Sequence, residues 1–161
     1  MTHDDPQESI LFLSRSLDER LLKVFFQDSH KFALIAQTPI TIDIYLTALY
    51  RSYPDEVAPY LRNPEPLAKL TEELRQVSVS AHEIAPMSNP GDPAKLLSVR
   101  IDERLIRLLR QAAKRISKTG RNRIELADFM RELSRDDELV EQLRTKRNLI
   151  LLPVSGPDDK S

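Results

Sequence analysis

The chain carries one sequence pattern twice. Residues 17–49 align with residues 101–133 at a constant offset and without a gap. The run Asp-Glu-Arg-Leu begins at Asp18 in the first copy and at Asp102 in the second. Aligned pairs that are apolar in both copies include Leu17 with Ile101, Phe25 with Leu109, Phe32 with Ile116 and Tyr45 with Phe129. A repeat of this length indicates two copies of one supersecondary unit that pack together.

Apolar residues recur at helical spacing in both copies. A long helix is expected from residue 17 to about 35 and again from 101 to about 117. Ser16 with Glu19, and Asn122 with Glu125, have the spacing of a capping box. Shorter helices are expected after each long one, and no clear strand alternation occurs. The predicted fold is therefore all-α, with two pseudo-twofold-related helical repeats of about four helices each.

Changes in composition suggest the domain boundaries. Residues 1–9 are expected to form a flexible N-terminus, 10–76 repeat 1 and 100–150 repeat 2. Residues 77–99 are rich in serine, proline and turn signals and are interpreted as a linker. Residues 151–161 are expected to be a flexible tail, and the apolar run from Leu149 to Leu152 is expected to dock as an extended segment.

Composition bounds the class of protein. The 161 residues include no cysteine, so neither a disulfide framework nor thiolate chemistry is expected. The acidic start lacks the features of a signal peptide, and no apolar run is long enough to span a membrane. The expected location is cytoplasmic, without membrane association.

The motifs of common catalytic sites are missing from the sequence. No phosphate-binding glycine loop, zinc-protease motif or nucleophile elbow occurs. His3, His30 and His82 are too widely spaced to suggest a metal site, and His30 is interpreted as a surface residue or a helix cap. We therefore expect no catalytic, cofactor-binding or metal-ligating residues, and the protein is not expected to be an enzyme.

Asp28 falls on the apolar face of the first long helix, where the second copy has Ala112. One interpretation is that the helix ends or turns at this residue. The other is that Asp28 is a buried carboxylate that pairs with an arginine across the interface between the repeats.

Two sets of side chains are candidates for binding a partner. Phe26, Tyr50 and Tyr53 are candidate exposed aromatic residues, because their counterparts in the second copy are polar, and such residues can anchor a protein partner. For Phe26 the alternative is that another helix of the domain covers the ring. The second set is a basic stripe on one face of the second long helix: Arg107, Arg110, Lys114, Lys118 and Arg121. Residues 100–147 contain 14 Lys and Arg against 9 Asp and Glu, so nucleic-acid binding by this stripe is an alternative function.

The segment Ile40-Thr-Ile-Asp-Ile-Tyr-Leu-Thr-Ala-Leu49 resembles part of the repeat found in Clp-type N-terminal domains. That family's segment reads apolar-Thr-x-Glu-His-Leu-Leu-x-Ala-Leu, with Asp43 at the Glu position and Ile44 at the His position. The helix from Leu105 to Ala113, with Gly120 beyond it, resembles the family's long helix and its glycine. The resemblance covers nearly everything from residue 10 to 150, and the family also has two copies. The extra helix expected after Leu133 fits this repeat better than a histone-like arrangement.

The resemblance to Clp-type N-terminal domains implies an all-α double repeat of the kind found ahead of AAA+ unfoldase rings. It further implies a module that binds a protein substrate, an adaptor or an AAA+ ring, and that performs no chemistry of its own. Cofactors are not implied. Protein binding in a Clp-type chaperone or protease system is thus the main functional hypothesis.

Overall fold

The structure is a computed structural model and describes residues 6–82 and 101–152, within which the chain is all-α, as predicted. The helices of repeat 1 are α1 (Pro6–Ser16), α2 (Glu19–Val24), α3 (His30–Ala36), α4 (Ile42–Ser52), α5 (Pro54–Val57) and α6 (Glu65–His82). A π-helical turn, Phe25–Ser29, joins α2 to α3, and a 3-10 turn, Ala58–Tyr60, follows α5. The helices of repeat 2 are α7 (Glu103–Ser117), α8 (Leu126–Arg135) and α9 (Asp137–Arg147).

The loops of the two repeats pair reciprocally. Leu17 forms a parallel bridge with Ile124, and Ile40 forms a parallel bridge with Ile101. The constant offset between the two copies converts one pair into the other. The hydrogen bonds follow the same rule, because the Asp18 amide donates to the Ile124 carbonyl at 2.9 Å and the Asp102 amide donates to the Ile40 carbonyl at 3.0 Å. Such reciprocity is what a twofold relation between two units produces.

An aromatic cluster lies where the two repeats meet. The rings of Tyr45 and Phe129, which are equivalent residues of the two copies, contact edge to face with centroids 5.3 Å apart. Phe25 also contacts Tyr45 edge to face, with centroids 5.3 Å apart, and all three side chains are fully buried. The Tyr45 hydroxyl donates to the Leu21 carbonyl at 3.0 Å, and burial raises the pKa of Tyr45 well above its ordinary value. Tyr45 therefore remains a neutral hydrogen-bond donor inside the core.

The helix caps differ from those expected. The long helix of repeat 1 is capped by Asp18, whose carboxylate accepts from the Leu21 amide at 2.8 Å, and Ser16 is instead the last residue of α1. Leu17 is held in the bridge to Ile124, so the helix starts only after it. In repeat 2 the cap of α8 is Glu125, not Asn122.

The π-helical turn changes which side chains of repeat 1 face the core. Each residue of a π-helix turns through a smaller angle than in an α-helix, so α3 is rotated relative to the face extrapolated from α2. His30, expected at the surface, is buried with 2 % of its surface exposed. Asp28 lies inside this π-helical turn, between the end of α2 at Val24 and the start of α3 at His30.

Two helices extend past the boundaries suggested by composition. The helix α1 begins at Pro6, within the segment 1–9 expected to be flexible, and proline suits the first turn because its missing N–H is not needed there. The helix α6 runs to His82, into the predicted linker 77–99. The rest of that linker and the tail from residue 153 lie outside the described residues.

The prediction that residues 149–152 dock as an extended segment is confirmed. Leu151 forms an antiparallel bridge with Leu61, and the Leu152 amide donates to the Tyr60 carbonyl at 2.9 Å. Asn63 clamps the same segment, because its side-chain amide donates to the Asn148 carbonyl at 2.8 Å and its side-chain oxygen accepts from the Ile150 amide at 3.0 Å. Repeat 2 is thereby tied to repeat 1 after α9.

Replacing Asn63 with alanine is expected to lower the free energy of unfolding by about 1–2 kcal/mol, because two hydrogen bonds between the repeats are lost. Urea denaturation followed by circular dichroism measures this change. The matched control is Asn122→Ala, which removes an exposed asparagine from the loop before α8. Equal effects of the two substitutions would contradict the inference that the hydrogen bonds of Asn63 stabilise the contact between the repeats.

Candidate functional site

The three aromatic residues predicted to be exposed are half-buried. Phe26, Tyr50 and Tyr53 all pack against the hydrophobic core. Phe26 contacts Phe25 edge to face at 6.1 Å, and the guanidinium of Arg20 lies over the Tyr53 ring at 4.5 Å. Other groups of the protein therefore cover these rings in part, and the three residues are not the exposed aromatic residues that the sequence predicted.

The basic stripe is divided between a helix and a loop. The helix α7 ends at Ser117, so Lys118 and Arg121 lie beyond it. Arg107 pairs with Glu103 at 3.8 Å, and the guanidinium of Arg110 lies over the Phe12 ring at 4.6 Å. Arg121 is bound to Asp128, and Lys114 and Lys118 are exposed. Three of the five cations thus contact other side chains of the same chain.

Asp28 forms contacts within its own repeat. Its carboxylate accepts from the Ser52 hydroxyl at 2.9 Å and lies 3.4 Å from a guanidinium nitrogen of Arg51. The predicted alternative of a pair across the interface between the repeats is therefore wrong.

Within residues 6–82 and 101–152, no cluster of three or more acidic, histidine or cysteine side chains is arranged to hold a metal ion. In the same part of the chain, no helix combines the length and the apolar character needed to cross a membrane.

A cavity lies in repeat 2, between the C-terminal half of α7 and α8. Its volume is about 360 Å³. We call it the arginine groove, and define it by the residues that line it: Ala112, Arg115, Ile116, Thr119, Arg121, Asp128, Arg131 and Glu132. Ala112 and Ile116 are buried apolar residues, and charged side chains form most of the remaining wall.

Buried carboxylates hold the arginines of the groove in place. Arg115 donates to both oxygens of Glu132, from Nε at 2.9 Å and from Nη2 at 3.2 Å. Arg121 donates to both oxygens of Asp128, at 3.0 and 2.5 Å. Asp128 and Glu132 are each 4 % exposed, whereas the side chains of Arg115 and Arg121 are each 42 % exposed. The groove therefore presents two oriented guanidinium groups to solvent.

Further bonds fix Asp128 itself. Its carboxylate accepts from the Glu125 amide at 2.9 Å, which caps α8, and it lies 3.4 Å from a guanidinium nitrogen of Arg131. The hydrogen bond to Asp128 raises the pKa of Arg121, partly offset by burial. The carboxylate of Glu125 also lies 3.4 Å from a guanidinium nitrogen of Arg121, so the three arginines of the groove are matched by three carboxylates.

The equivalent region of repeat 1 is closed by a helix. The constant offset places Asp28, Lys31, Phe32 and Ile35 on Ala112, Arg115, Ile116 and Thr119. Those four residues of repeat 1 line a cavity of only about 50 Å³, whose other walls include Thr71 and Arg75 of α6. Since α6 packs on both α3 and α4, it fills in repeat 1 the space that the arginine groove occupies in repeat 2.

The described residues of repeat 2 include no helix at the point where the offset would start a counterpart of α6. The offset would start the counterpart of α6 at Leu149, but residues 149–152 are extended and bond to residues 60–63. Among the described residues, no counterpart of α6 packs on both α7 and α8. In the part of repeat 2 that the structure describes, the groove is equivalent to the face that α6 covers in repeat 1.

The single replacement Arg115→Met is expected to lower the free energy of unfolding by about 2 kcal/mol, because Glu132 would remain buried without this partner. The double replacement Arg115→Met with Glu132→Leu is expected to be nearly neutral, since both charges leave together and the volume is kept. A double-mutant cycle in urea measures the difference. If the double variant is less stable than the single one, the pairing energy inferred from the geometry is incorrect.

The groove does not follow from the sequence patterns. Asp128 and Glu132 are carboxylates in α8, yet both are buried. Their spacing of four residues places them on one helical face, and this face abuts the apolar one of Leu126, Phe129, Met130 and Leu133. The arginines of the preceding segment, Arg115 and Arg121, are the signal that these carboxylates have partners.

Comparison with protein-family models, with curated proteins and with solved structures finds no match to this chain.

Proposed function

We propose that this protein is a cytoplasmic protein-binding module without catalytic activity of its own. The observation that carries the proposal is the arginine groove, a helix-sized face that α6 covers in repeat 1 and that the described part of repeat 2 leaves open. A concave surface with preorganised arginines suits recognition of a protein segment, because arginine is enriched among the residues that dominate binding energy. Because Asp128 and Glu132 hold these arginines in place, less side-chain freedom is lost on binding, which lowers the entropic cost of association.

The proposed biological setting is a Clp-type AAA+ chaperone or protease system. The resemblance of residues 40–49 and of the long helices to Clp-type N-terminal repeats supports this setting, as does the all-α double repeat. The partner would be a protein substrate, an adaptor or the AAA+ ring.

A pull-down from native lysate with the immobilised full chain, washed at low and at high salt, tests the proposed function. Recovery of an AAA+ ring or an adaptor that persists at high salt would support it. Recovery of nucleic acid alone, lost as salt rises, would contradict it and favour the exposed cations of the basic stripe, because phosphate contacts weaken steeply with salt.

A further inference from the structure

We draw no further inference here: the strongest candidate, the two small cavities that share Arg104 and Leu139 between α9 and the N-terminal ends of α4 and α7, rests on helix N-termini and exposed cations, and nothing among the described residues gives a second observation that points to a ligand there.

Discussion

Replacing Phe129 with alanine is expected to lower the free energy of unfolding by about 3–5 kcal/mol. Phe129 is fully buried and contacts Tyr45, its equivalent in the other repeat, at a centroid distance of 5.3 Å. The substitution leaves a cavity between the repeats and removes an edge-to-face aromatic contact. Because a whole domain is stable by only about 5–15 kcal/mol, the change is a large share of the total. Urea denaturation at about 25 °C measures it.

Two milder variants keep this prediction testable if Phe129→Ala does not fold. Phe129→Leu retains most of the buried volume and is expected to cost about 1–2 kcal/mol. Tyr45→Phe removes only the hydroxyl that donates to the Leu21 carbonyl and is expected to cost about 1 kcal/mol. If Phe129→Ala is no more costly than Tyr45→Phe, the aromatic cluster does not hold the repeats together.

Replacing Asp43 with alanine is expected to cost about 3 kcal/mol, because it breaks a largely buried ion pair between the repeats. Asp43 lies in α4 and its side chain is 6 % exposed, while Arg147, at the end of α9, donates from Nε to the carboxylate at 2.8 Å. Thr41, the cap of α4, donates a hydrogen bond to the same carboxylate. The exposed pair of Glu141 and Arg144 is the control, and Glu141→Ala is expected to have little effect.

The Asp43 contacts also predict a pH dependence. Burial opposes ionisation of Asp43, but hydrogen bonds from Thr41 and Arg147 outweigh it and hold the pKa of Asp43 below its ordinary value. The stabilisation is therefore complete above the unfolded-state pKa of about 3.9, and it is lost as the pH falls through the folded-state pKa. Asp43→Asn is expected to flatten the decline in stability between about pH 5 and 2. An unchanged slope would show that the pair does not contribute.

The pairing of the two repeats follows from patterns that the sequence displays directly. The constant offset between the copies and the helical apolar spacing predict two equivalent helical units. The bridges between residues 17 and 124 and between 40 and 101 are equivalent to each other under that offset, and Tyr45 contacts its own equivalent, Phe129. These features depend on buried apolar side chains, whose positions a periodic pattern reports well.

The features that escaped prediction depend on contacts between distant segments. No local sequence pattern predicts the π-helical turn at Phe25–Ser29. His30, just after this turn, is buried, and Asp28, within it, accepts a hydrogen bond from Ser52. Asp128 and Glu132 are buried only because Arg115 and Arg121 neutralise them, and a propensity scale treats such carboxylates as surface residues. The groove further requires residues 149–152 to pair with repeat 1, which the sequence indicated only as an apolar run that docks.

The most direct test of the groove as a binding surface is an NMR titration of the isotope-labelled full chain with the partner protein recovered in the pull-down. We expect the largest amide shift changes to cluster at residues 112–121 and 128–132, with the side-chain Nε–H signals of Arg115 and Arg121 among them. Shift changes centred on Phe26, Tyr50 and Tyr53, or on the exposed face of Arg107 and Arg110, would contradict the proposed site.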